Sequence, residues 1–127
     1  MGKLRVLVID DDLQILKLID FALTRAGFEV FTAPLGDIGL KIFAEEKPDL
    51  AIVDIALPGI DGYDVIKRMR ETEGELGKIA IIVLSAHEQT VMRAVADNFG
   101  VDMYLTKPIK PSQLIDHVQT LVGIPTS

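Results

Sequence analysis

The chain has 127 residues, 49% hydrophobic and 25% charged, enough for one domain with its own core and too apolar for intrinsic disorder. Thirteen basic against nineteen acidic residues leave a net charge of −6, which argues against direct nucleic-acid binding, and the lack of cysteine excludes disulfides and thiolate metal sites. The longest apolar run is six residues, far below the roughly 20 a membrane helix needs, so a soluble cytoplasmic protein with no membrane contact is expected.

Strand-like and helix-like segments alternate along the chain. Leu4–Asp10 is an apolar run suited to a strand covered on both faces. Ile15, Leu16, Ile19, Ala22, Leu23 and Ala26 then recur at helical spacing, and Gly27 supplies a stop. Phe28–Ala33 alternates and carries Glu29, which places it at a sheet edge. A weaker helix runs from Asp37 to Glu46 and is closed by Pro48. Leu50–Asp54 is the next strand, Ile55–Asp61 a loop, and Gly62–Glu71 a helix. Gly74 and Gly77 mark a connection to the strand Ile79–Leu84. Glu88–Phe99 reads as a helix, Val101–Leu105 as the last strand, and Pro111 starts a final helix that ends at Gly123. The result is five strand–helix units in one domain with a core of about 4–122, an open parallel sheet and helices on both faces, while 124–127 reads as a frayed end or the start of a linker.

Four of the strands end on residues suited to phosphoryl chemistry. Val6–Ile9 leads into Asp10, Asp11 and Asp12, and Leu50–Val53 into Asp54. Ile79–Leu84 leads into Ser85, and Met103–Leu105 through Thr106 to Lys107 and Pro108. Ligands of open parallel sheets bind outside the carboxyl ends of the strands, so these groups can converge. A single acid before a helix is usually an N-cap, but three in a row exceed what capping needs. Adjacent carboxylates repel unless a cation joins them, and Mg²⁺ suits one or two carboxylates plus a phosphate. Asp11 is expected as a direct ligand, Asp10 as a ligand through water, and Asp12 as a helix cap. Asp54 can attack phosphorus to form an acyl phosphate, Ser85 can donate to a phosphoryl oxygen, and Lys107 is the cation such a site needs. A cis Lys107–Pro108 bond is expected to aim the ammonium inward.

The blocks Val8-Ile-Asp-Asp-Asp12, Leu57-Pro-Gly-Ile-Asp-Gly62 after Asp54, Leu84-Ser-Ala86 and Tyr104-Leu-Thr-Lys-Pro108 together resemble the receiver domain of two-component response regulators. The resemblance implies a flavodoxin-like (βα)5 doubly wound α/β sandwich with a five-stranded parallel sheet in the order 2-1-3-4-5. It implies a signalling switch rather than an enzyme, taking a phosphoryl group from a sensor histidine kinase or a histidine phosphotransfer protein onto Asp54. Asp10, Asp11, Asp54 and the backbone carbonyl of Ala56 would hold Mg²⁺, for which Mn²⁺ can substitute. Ser85 and Tyr104 would be the switch pair, remodelling the face of the fourth helix, fifth strand and fifth helix, a face that also serves receiver homodimers. Ala86 would leave room beside the phosphate. Ala56 and His87 would flank the hydrolytic water, and since Ala56 cannot position it, a phosphoryl lifetime of minutes or longer is implied. Ile109 departs from the Phe that many receivers carry after Lys-Pro, and Lys110 is a poor cap before Pro111.

Partner docking is expected beside the site, on Ile15 and Leu18 of the first helix, with Phe21 farther out among Gln14, Lys17, Thr24 and Arg25. His117 is expected at the surface. Two other classes compete. A phosphorylation-independent interaction module of the same fold would lack an acid, the hydroxyl or the lysine, and none is missing. A haloacid-dehalogenase-type hydrolase would share the Asp-x-Asp pattern, but Gln14 stands where Thr or Val is needed. Flavin or dinucleotide binding lacks its Gly-rich loop after the first strand.

Overall fold

The computed structural model describes residues 2–86 and 100–123. The expected helix Glu88–Phe99, His87 and the tail 124–127 lie outside them. Five parallel strands, β1 (Arg5–Ile9), β2 (Glu29–Ala33), β3 (Leu50–Asp54), β4 (Ala80–Ser85) and β5 (Met103–Thr106), form one sheet in the order β2-β1-β3-β4-β5. The apolar runs without alternation, β1 and β3, occupy interior positions, and the alternating segment with Glu29 is an edge strand as expected.

Successive side chains of a strand point to opposite faces, so one strand feeds two cores. Leu7, Ile9, Val53 and Val83 face α2 (Gly36–Glu46) and α3 (Gly62–Arg70), where Phe43, Val65, Ile66 and Met69 meet them. Val6, Val8, Ile52 and Leu84 face α1 (Leu13–Arg25) and the C-terminal helix (Pro111–Leu121), through Leu16, Ile19, Leu23, Leu114 and Val118. The fold is therefore the doubly wound α/β sandwich that the sequence pattern predicts.

Local chemistry sets the helix starts. Asp12 caps α1, its Oδ1 accepting from the amides of Gln14 at 2.9 Å and Ile15 at 3.3 Å. Asp61 caps α3 by accepting from Asp64 N at 3.0 Å. Pro111 opens the C-terminal helix, whose N-cap Lys110 makes no side-chain cap bond.

Most element ends differ from the sequence reading by a residue or two, and two differences bear on the connections around β4 and β5. A short 3-10 helix, Glu75–Lys78, fills the connection before β4. The last strand begins at Met103 rather than Val101: Asp102 donates its backbone amide to the Ile81 carbonyl at 3.0 Å, but the return bond goes to its side chain, whose Oδ2 accepts from Ile81 N at 2.8 Å and meets Arg70 at 3.3 Å. Arg70 also donates to the carbonyls of Gly77, Ile79 and Gly100, tying the base of β4 to the approach to β5.

Candidate functional site

The sheet order places the carboxyl ends of β1, β3, β4 and β5 side by side. Ile9 pairs with Val53, so Asp10 and Asp54 follow at one level, and Asp54 pairs with Leu84, so Ser85 stands one residue farther out. Ser85 pairs with Thr106, which brings the next residue, Lys107, over the same crevice. The backbone N–H of Lys107 donates to the Ser85 carbonyl at 2.7 Å, and the Lys107–Pro108 bond is cis, as expected.

Lys107 bridges the two buried acids. Its Nζ lies 3.0 Å from Asp10 Oδ2 and 3.2 Å from Asp54 Oδ2. The remaining oxygens are held by the backbone: Asp10 Oδ1 accepts from Asp12 N at 2.9 Å, and Asp54 Oδ1 from Ala56 N at 3.1 Å. Asp10 is fully buried, and Asp54 and Ser85 nearly so. Burial raises the Asp10 pKa, with the charge of Asp54 adding to it, against the lowering effect of the Asp12 amide and Lys107. Burial alone would lower the Lys107 pKa, but the hydrogen bond to Asp10 and the charges of both acids outweigh it, and the pKa is raised.

Asp11 is exposed at the rim, and one carboxylate oxygen each of Asp10, Asp11 and Asp54 lie within 4.8 Å of one another. One ammonium cannot balance three carboxylates, and an all-oxygen donor set beside a buried acid fits a hard divalent cation such as Mg²⁺. Asp12, as expected, is occupied in capping.

The other expected residues lie around this crevice. Tyr104 is exposed on the edge strand β5, and Ala56 is exposed at the start of the loop after Asp54. Ile15 is half-buried and Leu18 exposed, and both line a cavity of about 430 Å³ with Ile19, Lys107, Pro108 and Ile109. Phe21 is exposed farther along α1, with the Arg25 guanidinium 5.5 Å from its ring.

The sequence reading gave no role to Gly62. A Cβ there would overlap the carbonyl oxygen of Asp54 and lie 2.6 Å from Cα of Ile55, so only glycine lets α3 start against the strand end that carries the acid. A glycine directly after the capping Asp61 was the available signal. Ile109, read as a departure from the motif, is a wall of the α1 cavity.

Comparisons with known proteins agree with this geometry. The model of the response regulator receiver domain matches residues 6–119. The chain is 39% identical over 105 residues to the transcriptional regulatory protein AfsQ1 of Streptomyces coelicolor, covering 83% of this chain and 45% of that protein. It is 33% identical over 118 residues to the alkaline phosphatase synthesis transcriptional regulatory protein PhoP of Bacillus subtilis, covering 93% and 48%. The chain thus spans about half the length of these relatives. Among solved structures, a response regulator receiver domain protein from Clostridium thermocellum superposes with a TM-score of 0.83 at 30% identity, over 94% of each chain. A CheY-like receiver domain protein from Methanospirillum hungatei gives 0.85 at 26% identity, over 96% and 95%. With its sheet order, its strand-end residues and these matches in agreement, the chain belongs to the response regulator receiver domain family of two-component systems.

Proposed function

We propose that this receiver is a phosphorylation-dependent switch that takes a phosphoryl group onto Asp54 from a phosphohistidine of a sensor histidine kinase or a histidine phosphotransfer protein. The observation that carries the reading is the single ammonium of Lys107 set between two buried strand-end carboxylates. In the transfer, a carboxylate oxygen of Asp54 forms the new O–P bond as the N–P bond of the phosphoimidazole breaks. The imidazole nitrogen leaves with that electron pair. Lys107, already beside Asp54 Oδ2, follows the added negative charge onto a phosphoryl oxygen. The Ser85 hydroxyl donates to another, and the Ala56 amide keeps the carboxylate oriented.

Asp10, Asp11, Asp54 and the Ala56 carbonyl would hold Mg²⁺, or Mn²⁺ in its place, with the acid cluster as support. The bound ion supplies positive charge against the phosphoryl oxygens. Drawing Ser85 inward acts on β5 through its register partner Thr106, two residues from Tyr104, so that the ring turns and remodels the face it shares with the C-terminal helix, also the face for a homodimer. The donor protein docks over the α1 cavity, with Ile15 and Leu18 as its contacts, because Lys107 and Pro108 make the other wall and lead directly to Asp54. We place the protein in the cytoplasm. Among the described residues no helix is long and apolar enough to cross a membrane.

Intact-mass measurement after incubation with a small acyl-phosphate donor tests the reading. A single Mg²⁺-dependent phosphoryl adduct, absent in Asp54→Asn, is expected. No adduct on the wild type, with metal binding verified, would overturn it in favour of a phosphorylation-independent interaction module.

A further inference from the structure

We propose that a second copy of this chain docks on the groove between the start of α2 and the β3–α3 loop. The groove encloses about 440 Å³ and is lined by Leu35, Asp37, Pro58, Gly59, Ile60 and Arg68.

Its rim breaks a local rule. Leu35 occupies the N-cap of α2, where Ser, Thr, Asp or Asn would close a hydrogen bond, and it makes no side-chain cap. The leucine instead leaves 39% of its surface in solvent at the edge of the groove. Leu35 thus gives the groove an apolar rim in place of a cap, beside Pro58 and Ile60.

The charges identify the occupant. Asp37, from α2, accepts from the adjacent amide of Ile38 at 2.9 Å, and among the described residues no basic side chain lies within 4.0 Å of it. Arg68, from α3, is exposed, and among the described residues no carboxylate lies within 4.0 Å of it. The other described arginines are engaged: Arg5 and Arg70 in ion pairs, Arg25 over the Phe21 ring. One groove therefore carries an unpaired acid on one helix and an unpaired base on the other, around an apolar centre. Such a patch is complementary to itself. A two-fold axis through the Leu35–Ile60 region sets Asp37 of each copy against Arg68 of its partner and buries the apolar residues between them. A partner of uniform charge would satisfy one of the two groups and oppose the other.

A contact centred on this groove belongs with weak, transient associations, so dissociation on the order of 10⁻⁴ M is expected. This face lies apart from the β5 and C-terminal-helix face. Its loop wall leads back to Asp54, whose Oδ1 is held by the Ala56 amide.

Sedimentation velocity over a concentration series spanning about tenfold on either side of that constant tests the proposal. The wild-type mass should rise from 13.9 kDa toward twice that value. Arg68→Glu and Asp37→Arg should each weaken association by roughly tenfold or more, and the exchanged pair Asp37→Arg with Arg68→Asp should restore it. Far-ultraviolet circular dichroism checks that each variant is folded. A wild type that stays monomeric throughout overturns the proposal. So does association that survives Arg68→Glu, which would belong to another face, or an exchanged pair that fails to recover.

Discussion

At the scale of one residue, Lys107 controls the electrostatics of the crevice. Its ammonium is the counter-charge of both Asp10 and Asp54, and four-fifths of its side chain is buried. Removing it leaves two neighbouring buried acids without a cation. Lys107→Met should therefore lower the unfolding free energy by about 2–3 kcal/mol at neutral pH in metal-free buffer, the low end for a broken buried pair because the lysine keeps some solvent contact. The pH dependence has a definite sign. The folded pKa of Lys107 lies above its ordinary 10.5, so its stabilisation is fully present below that pH and is lost as pH climbs through the folded value. The gap between wild type and Lys107→Met in urea unfolding should close at strongly alkaline pH. A gap that persists there would assign the loss to packing of the lysine stem.

Among the elements, the contact that matters most for the site is α3 starting against the end of β3. Gly62 donates its amide to the Ile55 carbonyl at 3.1 Å and leaves no room for a methyl group beside the Asp54 backbone. Gly62→Ala should cost about 2–3 kcal/mol as overpacking, read from the urea midpoint. It should also shift the amide resonances of Ile55 and Ala56 more than those of β2. Equal perturbation of all strands would point to general destabilisation instead. This element also shows where sequence reading stops. Asp10, Asp54, Ser85 and Lys107 were legible because each ends or follows an apolar run, and the carboxyl ends of parallel strands all lie at one edge of the sheet. Asp12 was legible as a cap from its place before a helical period. Gly62 was not, because its role is a distance between two backbones that no periodicity records. The late start of β5 was hidden for a similar reason: Asp102 interrupts an apolar stretch only through its bonds to Ile81 and Arg70.

For the molecule as a whole, a ligand that binds only the folded state adds to its stability. Asp10, Asp11 and Asp54 come together only when β1 and β3 pair, so Mg²⁺ at ten times its dissociation constant should add about 1.4 kcal/mol. That is a rise in Tm of roughly 4–6 °C for a domain of this size, reversed by a chelator. Asp11→Ala should abolish the increment and leave the metal-free Tm nearly unchanged, since Asp11 is exposed. An increment that survives in Asp11→Ala would place the ion elsewhere. The bridge made by Lys107 has a further consequence for the order in which the chain is made. The lysine lies 53 residues beyond Asp54, after the last strand. A chain leaving the ribosome exposes β1, β3 and β4 before it holds the cation that offsets their buried acids. The carboxyl end of the nascent sheet therefore lacks its protein counter-charge until the segment that follows β5 emerges.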